Sequence, residues 1–212
     1  MISILIPTYN SAETLPRALD SVFLQQVENM EVILVDDAST DRTPEKACDY
    51  LARLSGEKVS EIGPDLKLKV RGILFRIIRL KENQGPAAAR NRALEEAKGE
   101  WIAFLDADDV WMPDRLATQL ALAARFPDVD LWCGHALFYR DDKIVGHQGP
   151  DTSRPKPADA LQSAEAPSWS RIALEEFMEH NLIVTSTVLV KRAVLLQVGG
   201  FDARFRGPED YD

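Results

Sequence analysis

Three carboxylates, Asp106, Asp108 and Asp109, directly follow the apolar run of residues 101–105, which is typical of a buried strand. In open α/β sheets the ligand crevice lies at the carboxyl ends of the strands. Carboxylates crowded there repel one another unless a cation neutralises them, and hard cations such as Mg²⁺ or Mn²⁺ prefer oxygen ligands. Asp106 and Asp108 are therefore a candidate site for a metal that in turn holds phosphate. The alternative is an aspartate-rich loop in which Asp109 caps the following helix.

Polar residues also follow two other predicted strands, at positions 8–10 and at Asp36 and Asp37. If these strands are neighbours of the strand at 101–105, all three clusters converge on one crevice. Tyr9 offers a flat face on which a base can stack, with core packing as the alternative. Asp37 is able to accept hydrogen bonds from a base or a ribose, or to cap its own turn.

Two further groups have side chains suited to chemistry. A helix predicted from Pro86 carries Arg90, and a helix N-terminus with an arginine favours phosphate, whereas the alternative is a solvated helix face. Glu209 and Asp210 follow a glycine-bearing loop, and a carboxylate there could act as a general base. On residue type alone, an acidic chain end is the simpler interpretation of that pair.

The elements that must position these residues alternate between strand and helix, which predicts a largely parallel sheet. Asn10 with Glu13 is interpreted as a capping box for the first helix. Residues 55–72 are interpreted as an insertion, and the proline-bearing residues 148–168 as a loop. Strands are predicted at 2–6, 31–35, 73–80, 101–105, 131–139 and 183–190, with a hairpin turn at 141–142. An apolar helical stripe runs from 15 to 23, and further helices are predicted over 86–98, 113–125 and 170–180 and beginning at 43 and 192. Gly99 is expected to end the helix over 86–98.

Composition limits the class of protein. A chain of 212 residues can bury a sizeable core and is most simply one domain. Its 25 Lys and Arg against 34 Asp and Glu give a formal charge of −9, which argues against nucleic acid as a partner. Cys48 and Cys133 lack metal-ligand spacing and indicate a reducing compartment. With no signal peptide and no apolar run near about 18 residues, we expect a cytoplasmic protein without a transmembrane segment; peripheral membrane contact stays open.

Several other kinds of site are excluded. The sequence has no G-x-x-x-x-G-K-[ST] phosphate loop, no G-x-G-x-x-G fingerprint and no G-x-S-x-G elbow. An EF-hand beginning at Asp106 would need an oxygen ligand, a glycine and a glutamate where the chain has Val110, Trp111 and Ala117.

Six motifs stand in order along the chain. They are Ile-Leu-Ile-Pro-Thr-Tyr-Asn at 4–10, Val-Asp-Asp-Ala-Ser-Thr-Asp at 35–41, Asn-Gln-Gly-Pro-Ala-Ala-Ala-Arg-Asn at 83–91, Phe-Leu-Asp-Ala-Asp-Asp at 104–109, Gly-Gly-Phe-Asp at 199–202 and Glu-Asp at 209–210. Together they resemble the motifs of family 2 glycosyltransferases with the GT-A fold. The resemblance implies an α/β fold of GT-A type, with a mixed, mostly parallel central sheet flanked by helices. It spans the chain except the segments 55–72 and 148–168.

The resemblance also implies roles for particular residues. Tyr9 would pack on the nucleotide base with Thr8 beside it, and Asp37 would accept a hydrogen bond from the base, usually uracil. Arg90 would face the nucleotide or its diphosphate. The pair at 106 and 108 matches the family's DXD motif, in which Asp108 ligates Mn²⁺ or Mg²⁺ and Asp106 lies nearer the ribose. Asp210 matches the general base that deprotonates the acceptor hydroxyl.

We therefore expect one GT-A domain, with a nucleotide-binding half at about 1–110 and an acceptor-side half at about 111–212. Because the chain stops two residues after Asp210 whereas relatives continue, we expect the domain to be truncated at its C-terminus. The expected reaction is inverting, metal-assisted transfer of a sugar from a nucleotide-diphospho-sugar to a saccharide, lipid-linked or other hydroxyl acceptor. The alternative is a non-catalytic nucleotide-sugar binding module or an inactive domain of a larger protein.

Overall fold

Within residues 1–56, 65–140, 143–148 and 183–204, which are the residues that the computed structural model describes, the chain forms nine strands and five helices. A single 3-10 turn at Thr185–Thr187 precedes the last strand. In chain order the elements are β1 (Ile2–Thr8), α1 (Leu15–Phe23), β2 (Met30–Asp36), α2 (Thr43–Ser55), β3 (Asp65–Val70), β4 (Ile73–Arg79), α3 (Pro86–Glu96), β5 (Trp101–Phe104), α4 (Arg115–Arg125), β6 (Leu131–Trp132), β7 (Ala136–Arg140), β8 (Lys143–Gln148), β9 (Leu189–Lys191) and α5 (Arg192–Val198).

Seven of these strands form one sheet in the order β3-β4-β2-β1-β5-β9-β6. The strands β4, β2, β1 and β5 are parallel neighbours, whereas β3 and β9 run antiparallel to the strands beside them. The condition under which the polar clusters converge, that the first, second and 101–105 strands are neighbours, is therefore met. Their carboxyl ends meet at one edge of the sheet, where a ligand crevice is expected.

The two faces of this sheet carry separate apolar cores. All residues of β1 and β2 are buried, which is the pattern of parallel strands covered on both faces. Ile4, Ile6 and Leu34 face the helices α1 and α2, and Leu5 and Val35 face α3. The central strands are therefore fixed by burial on both sides.

The segment 55–72 is more regular than predicted. The helix α2 ends at Ser55, where Gly56 adopts φ +76°, the left-handed conformation common after helices. Residues 65–70 form the edge strand β3, paired antiparallel with β4, so this part of the segment is not an irregular connection; its interpretation as an insertion stays a prediction. Leu68 and Val70 are buried, whereas Lys67 and Lys69 are exposed. Residues 57–64 lie outside the described part of the chain.

The C-terminal third of the chain differs from the prediction in its strands. The run predicted as one strand over 131–139 is divided between β6, in the large sheet, and β7, which pairs with β8 in a separate hairpin. The predicted hairpin is confirmed, although its turn at 141–142 is not among the described residues. The strand predicted over 183–190 is limited to β9. The loop over 148–168 and the helix over 170–180 fall outside the described residues, apart from Gln148 at the end of β8.

The end of α3 has a different cause from the one predicted. The helix ends at Glu96, and Gly99 does not cap it. A Cβ atom at position 99 would lie 2.5 Å from the backbone nitrogen of Ser3, so the close approach to β1 requires glycine there. The helix α4 likewise begins at Arg115 rather than at Pro113. None of the helices in the described part of the chain has the length and apolar character needed to cross a bilayer.

Candidate active site

Strand register brings the predicted polar clusters to the same level of the sheet. Thr8 pairs with Asp36, and Asp36 pairs with Arg79 on the other side. On the opposite side of β1, Leu5 pairs with Phe104, so that Asp106 emerges at this same edge. The residues that follow β1, β2 and β5 therefore lie at one edge of the sheet, where a ligand crevice is expected.

Asp106 is held by both its side chain and its main chain. Arg90 Nη2 donates a hydrogen bond to Asp106 Oδ1 at 2.8 Å, and the backbone N–H of Asp106 donates to Ser186 Oγ at 2.9 Å. Arg90 is only 3% exposed, because the small residues Ala89 and Ala93 let α3 pack closely on the sheet. The interpretation of Arg90 as part of a solvated helix face is therefore wrong.

Asp108 is exposed at the tip of the same turn. The turn is closed by the N–H of Asp109, which donates to the carbonyl of Asp106 at 3.1 Å. The helix α4 has Asp114 at its N-cap position, so Asp109 does not cap it. The structure thus presents one exposed carboxylate, on Asp108, beside a second that is anchored by Arg90.

These carboxylates suit a cation that shares its coordination with a ligand. No group of three or more His, Cys, Asp or Glu side chains within the described ranges is arranged to hold a metal ion. Mg²⁺ is usually bound by only one or two carboxylates, and substrate phosphates and water supply the remaining oxygens. Asp108 and Asp106 fit a site of this kind, in which one or two carboxylates bind the metal and a phosphate ligand and water complete its coordination.

Asp37 joins two loops of the crevice. Its carboxylate accepts hydrogen bonds from the backbone N–H of Gln84 at 2.8 Å and of Gly85 at 2.7 Å. The side chain of Asn83 donates to the Asp37 carbonyl at 3.3 Å. Asp37 is buried, and its orientation is set by the loop that leads into α3. A carboxylate offers about four acceptor sites, so these two bonds leave capacity for a ligand.

The neighbouring Asp36, and not Asp37, caps the turn after β2. The N–H of Ser39 donates to Asp36 Oδ2 at 3.2 Å, so the interpretation of Asp37 as the cap of its own turn is wrong. Arg79 Nε lies 3.4 Å from the same oxygen. Burial raises the pKa of Asp36, and the bonds from Ser39 and the charge of Arg79 oppose that rise.

Tyr9 and Thr8 differ sharply in exposure. Tyr9 is 48% exposed, which excludes the alternative of core packing and leaves its ring available at the crevice. Thr8 is buried, and its hydroxyl lies 3.5 Å from the carbonyl of Val35. Tyr9 is thus the more accessible of the two predicted nucleotide contacts.

Asn10 connects the loop after β1 to the loop after β2, a role the sequence did not predict. Its Oδ1 accepts hydrogen bonds from the backbone N–H of Thr40 at 2.9 Å and of Asp41 at 3.2 Å. Its own N–H donates to Ser39 Oγ at 2.9 Å. Because Thr14 is the N-cap residue of α1, the predicted capping box of Asn10 is wrong. Asn10 has φ +50°, a conformation that asparagine tolerates better than most residues. An asparagine directly after a strand is therefore the sequence feature that could have indicated this turn.

The Gly-Gly-Phe-Asp motif at 199–202 packs beside Arg90. Asn91 Nδ2 donates to the Phe201 carbonyl at 2.7 Å, and the Phe201 N–H donates to Asn91 Oδ1 at 2.8 Å. The Arg90 guanidinium lies over the Phe201 ring, 5.5 Å from its centroid. The motif is thus joined to the helix that carries Arg90. The predicted base Asp210 lies outside the described residues.

Comparisons with known proteins identify related sequences. Residues 3–172 match the family model described as Glycosyl transferase family 2. The chain is 33% identical to the putative teichuronic acid biosynthesis glycosyltransferase TuaG of Bacillus subtilis, over 68% of this chain and 52% of that protein. It is 37% identical to the succinoglycan biosynthesis protein ExoO of Rhizobium meliloti, over 99% of this chain and 53% of that protein. The chain spans about half the length of these curated relatives.

Solved structures with the same fold cover nearly the whole chain. The crystal structure of residues 1–349 of S. aureus TarS has a TM-score of 0.64 and 22% identity, and covers 99% of this chain and 52% of that one. The crystal structure of the same TarS fragment in complex with UDP has a TM-score of 0.61. The mannosyltransferase PcManGT of Pyrobaculum calidifontis, in complex with GDP-Man and Mn²⁺, has a TM-score of 0.65 and 24% identity. The match covers 99% of this chain and 50% of the PcManGT chain. These similarities confirm the expected fold of GT-A type.

Proposed function

The chain belongs to glycosyl transferase family 2, and we propose that it transfers a sugar from a nucleotide-diphospho-sugar to a hydroxyl acceptor with inversion. The expected donor is a UDP-sugar. The donor-side half comprises about residues 1–110 and the acceptor-side half about residues 111–212. TuaG and ExoO are named for teichuronic acid and succinoglycan biosynthesis, which favours an acceptor in the assembly of a bacterial polysaccharide.

The observation that carries this proposal is the arrangement of Asp106 and Asp108 at the end of β5. One carboxylate is exposed and the other is anchored by Arg90, at the sheet edge that also bears Tyr9 and Asp37. A divalent cation bound there, Mn²⁺ or Mg²⁺, would stabilise the charge that develops on the leaving diphosphate. Asp108 would be its protein ligand, with Asp106 nearer the ribose.

The donor nucleotide would be held by residues from three loops. The exposed ring of Tyr9 would stack on the base, with Thr8 beside it. Asp37 would accept a hydrogen bond from the base through the acceptor capacity that Gln84 and Gly85 leave unused. Arg90 would orient Asp106 through their hydrogen bond, in addition to its expected position facing the nucleotide or diphosphate. Because the loops after β1, β2 and β4 are bonded to one another, we expect these residues to be held in position before the ligand binds.

The acceptor hydroxyl is a weak nucleophile and needs a base to take its proton during attack on the sugar carbon. We assign this role to Asp210, on the resemblance of the Glu-Asp motif at 209–210. A single displacement inverts the anomeric carbon and requires no covalent nucleophile on the protein. Asp210→Asn should therefore retain nucleotide binding and lose sugar transfer.

The donor site can be tested by thermal unfolding with UDP, GDP, CDP and dTDP, each with and without Mn²⁺. A ligand at about 100 times its dissociation constant adds ~2.7 kcal/mol of stability. For a domain of this size, that corresponds to a rise in Tm of roughly 5–10 °C. We expect a metal-dependent rise with UDP, and hydrolysis or transfer of a UDP-sugar when Mn²⁺ is present. Binding without turnover would instead support a nucleotide-sugar binding module.

The variant Asp108→Asn tests the metal ligand. It should remove the metal-dependent part of the rise in Tm, because the amide carries no negative charge, and turnover should fall at least about 100-fold. Asp114→Asn is the matched control, since Asp114 is an exposed aspartate that makes no side-chain capping bond at the start of α4. Equal metal-dependent binding by wild type and Asp108→Asn would contradict the assignment.

A further inference from the structure

Three side chains on one face of the segment 111–119 donate hydrogen bonds to the consecutive backbone carbonyls of residues 186–188, just before β9. Trp111 Nε1 donates to the Ser186 carbonyl at 2.8 Å, Gln119 Nε2 to the Thr187 carbonyl at 2.9 Å, and Arg115 Nη2 to the Val188 carbonyl at 2.8 Å. The three donors recur every four residues, so they lie on one side of the helix α4 and the turn that precedes it. Side-chain hydrogen bonds thus connect residues 186–188 to α4 and the turn that precedes it.

The same turn is bonded to the carboxylate loop. Ser186 is 5% exposed, and its Oγ accepts the hydrogen bond from the Asp106 N–H at 2.9 Å. Trp111 lies only five positions after Asp106 in the sequence, and it donates a hydrogen bond to the carbonyl of Ser186. The position of Ser186 therefore links α4 to the backbone of Asp106.

Arg115 makes this link at a cost to stability. Its Nε and Nη1 atoms are buried and have no hydrogen-bond partner in the described part of the chain. The guanidinium lies over the Trp111 ring, 4.2 Å from its centroid, and burial lowers the pKa of Arg115 to about 9. Buried donors without partners destabilise a fold. The Val188 carbonyl also accepts from the Phe104 N–H at 3.4 Å, so that carbonyl would keep a partner without Arg115.

We propose that Arg115 and Gln119 are positioning residues, which hold the turn at 185–188 so that Ser186 fixes the loop of Asp106 and Asp108. Neither residue needs to contact the donor. An arginine whose Nε and Nη1 atoms are buried without partners, and which nevertheless anchors the carboxylate loop, is the arrangement expected where function opposes stability. The consequence for metal and nucleotide binding rests on the function proposed above, whereas the consequence for the Asp106 backbone does not.

The direct test measures hydrogen exchange of the Asp106 amide in the ligand-free protein. Ser186→Ala removes the acceptor, and we expect this amide to exchange about tenfold faster. Arg115→Met removes the anchor and the unpaired guanidinium nitrogens, so the amide should exchange several-fold faster while the Tm stays unchanged or rises. Arg125→Met, an exposed arginine on the same helix, should alter neither quantity. Wild-type exchange in Arg115→Met, or faster exchange only as part of a fall in Tm, would overturn the proposal.

A second measurement connects the positioning to ligand binding. In Arg115→Met, UDP binding in the presence of Mn²⁺ should weaken about tenfold, as for other residues that orient a metal ligand. Binding of UDP without metal should not change, which a general loss of structure would not produce. If the wild-type protein bound no nucleotide with Mn²⁺, the proposed function would fail, and the exchange of the Asp106 amide would still decide the role of Arg115.

Discussion

The residues before and after position 110 build their parts of the sheet in different ways. The strands β1, β2 and β4 each have seven residues, and β1 and β2 are buried along their whole length. In contrast, β6 has two residues and β9 has three, and the hairpin of β7 and β8 stands apart from the large sheet. Phe138, Tyr139 and Val145 of this hairpin are exposed.

This difference separates two sources of stability. The first part is fixed by the burial of long apolar strands, which is broad and shared among many residues. The second part depends on individual contacts, such as those from α4 to the turn at 185–188 and the paired hydrogen bonds between Asn91 and Phe201. Single substitutions should therefore act through lost burial in the first part and through lost geometry in the second.

The largest effect is expected from Leu5→Ala in β1. Leu5 is fully buried, and truncating a leucine in a packed core costs about 2–5 kcal/mol because a cavity remains. Leu196→Ala in α5 is the matched control from the second part, since Leu196 is 49% exposed, and its cost should stay within about 0.5 kcal/mol. Urea unfolding measures both. Similar losses in the two variants would contradict the contrast in burial.

A smaller effect is expected from Gly200→Ala. Gly200 has φ +77°, and a Cβ atom there would lie 2.5 Å from Asn91 Oδ1, which is already bonded to the Phe201 N–H. We expect a loss of about 1–3 kcal/mol in the free energy of unfolding. Gly199→Ala has φ +88° with open space around its Cβ, so it should cost only the backbone strain, about 1 kcal/mol. A larger loss for Gly199→Ala than for Gly200→Ala would refute the role of the Asn91 contact.

The smallest effect is expected for the ion pairs of Arg76, which joins β4 to Asp65 of β3 and to Glu96 of α3. Hydrogen bonds from Arg76 lower the pKa of Asp65, and bonds from Arg92 and Arg76 lower that of Glu96. Their stabilisation is complete above the ordinary pKa values of 3.8 and 4.5 and is lost as the pH falls through the lowered ones. Because these side chains are partly exposed, Arg76→Gln should cost less than about 1 kcal/mol at pH 7.

Urea unfolding between pH 7 and pH 3 measures this effect. Arg76→Gln should lose less stability on acidification than the wild type, because Asp65 no longer has its pair with Arg76 and Glu96 keeps only its pair with Arg92. Lys69→Gln, an exposed change on the same hairpin, should follow the wild-type pH dependence. A pH dependence of Arg76→Gln identical to that of the wild type would show that these pairs contribute nothing.

The sequence predicted the first part of the molecule better than the second for a physical reason. Long apolar runs ended by Pro or Asp define β1, β2 and β5, and parallel strands bring their ends together. The strand β3 was missed although Leu66, Leu68 and Val70 alternate with charged residues, because the polar composition around them favoured a loop. Its lysines are the kind of residue that protects an edge strand.

The contacts that hold the candidate site carry little periodic signal. Asn10 bonds to Thr40, 30 positions away, and Trp111 bonds to Ser186, 75 positions away. Such pairs join polar side chains to backbone groups, whose partners are set by the final fold and not by local spacing. The sequence therefore predicted that the ends of β1, β2 and β5 meet at one edge of the sheet, but not the contacts that Asn10 and Trp111 make with distant backbone groups.

The position of β9 between β5 and β6 has a consequence for synthesis on the ribosome. Among the described strands β6 pairs with β9 alone, so within this sheet residues 131–132 lack their partner until residues 189–191 have left the exit tunnel. The strands β1, β2, β4 and β5 can assemble much earlier, which leaves one side of β5 unpaired while more than 80 further residues are translated. At about 5–20 residues per second, that open strand persists for several seconds. The nascent chain thus passes through a period in which β5 is available to a chaperone or to a wrong partner.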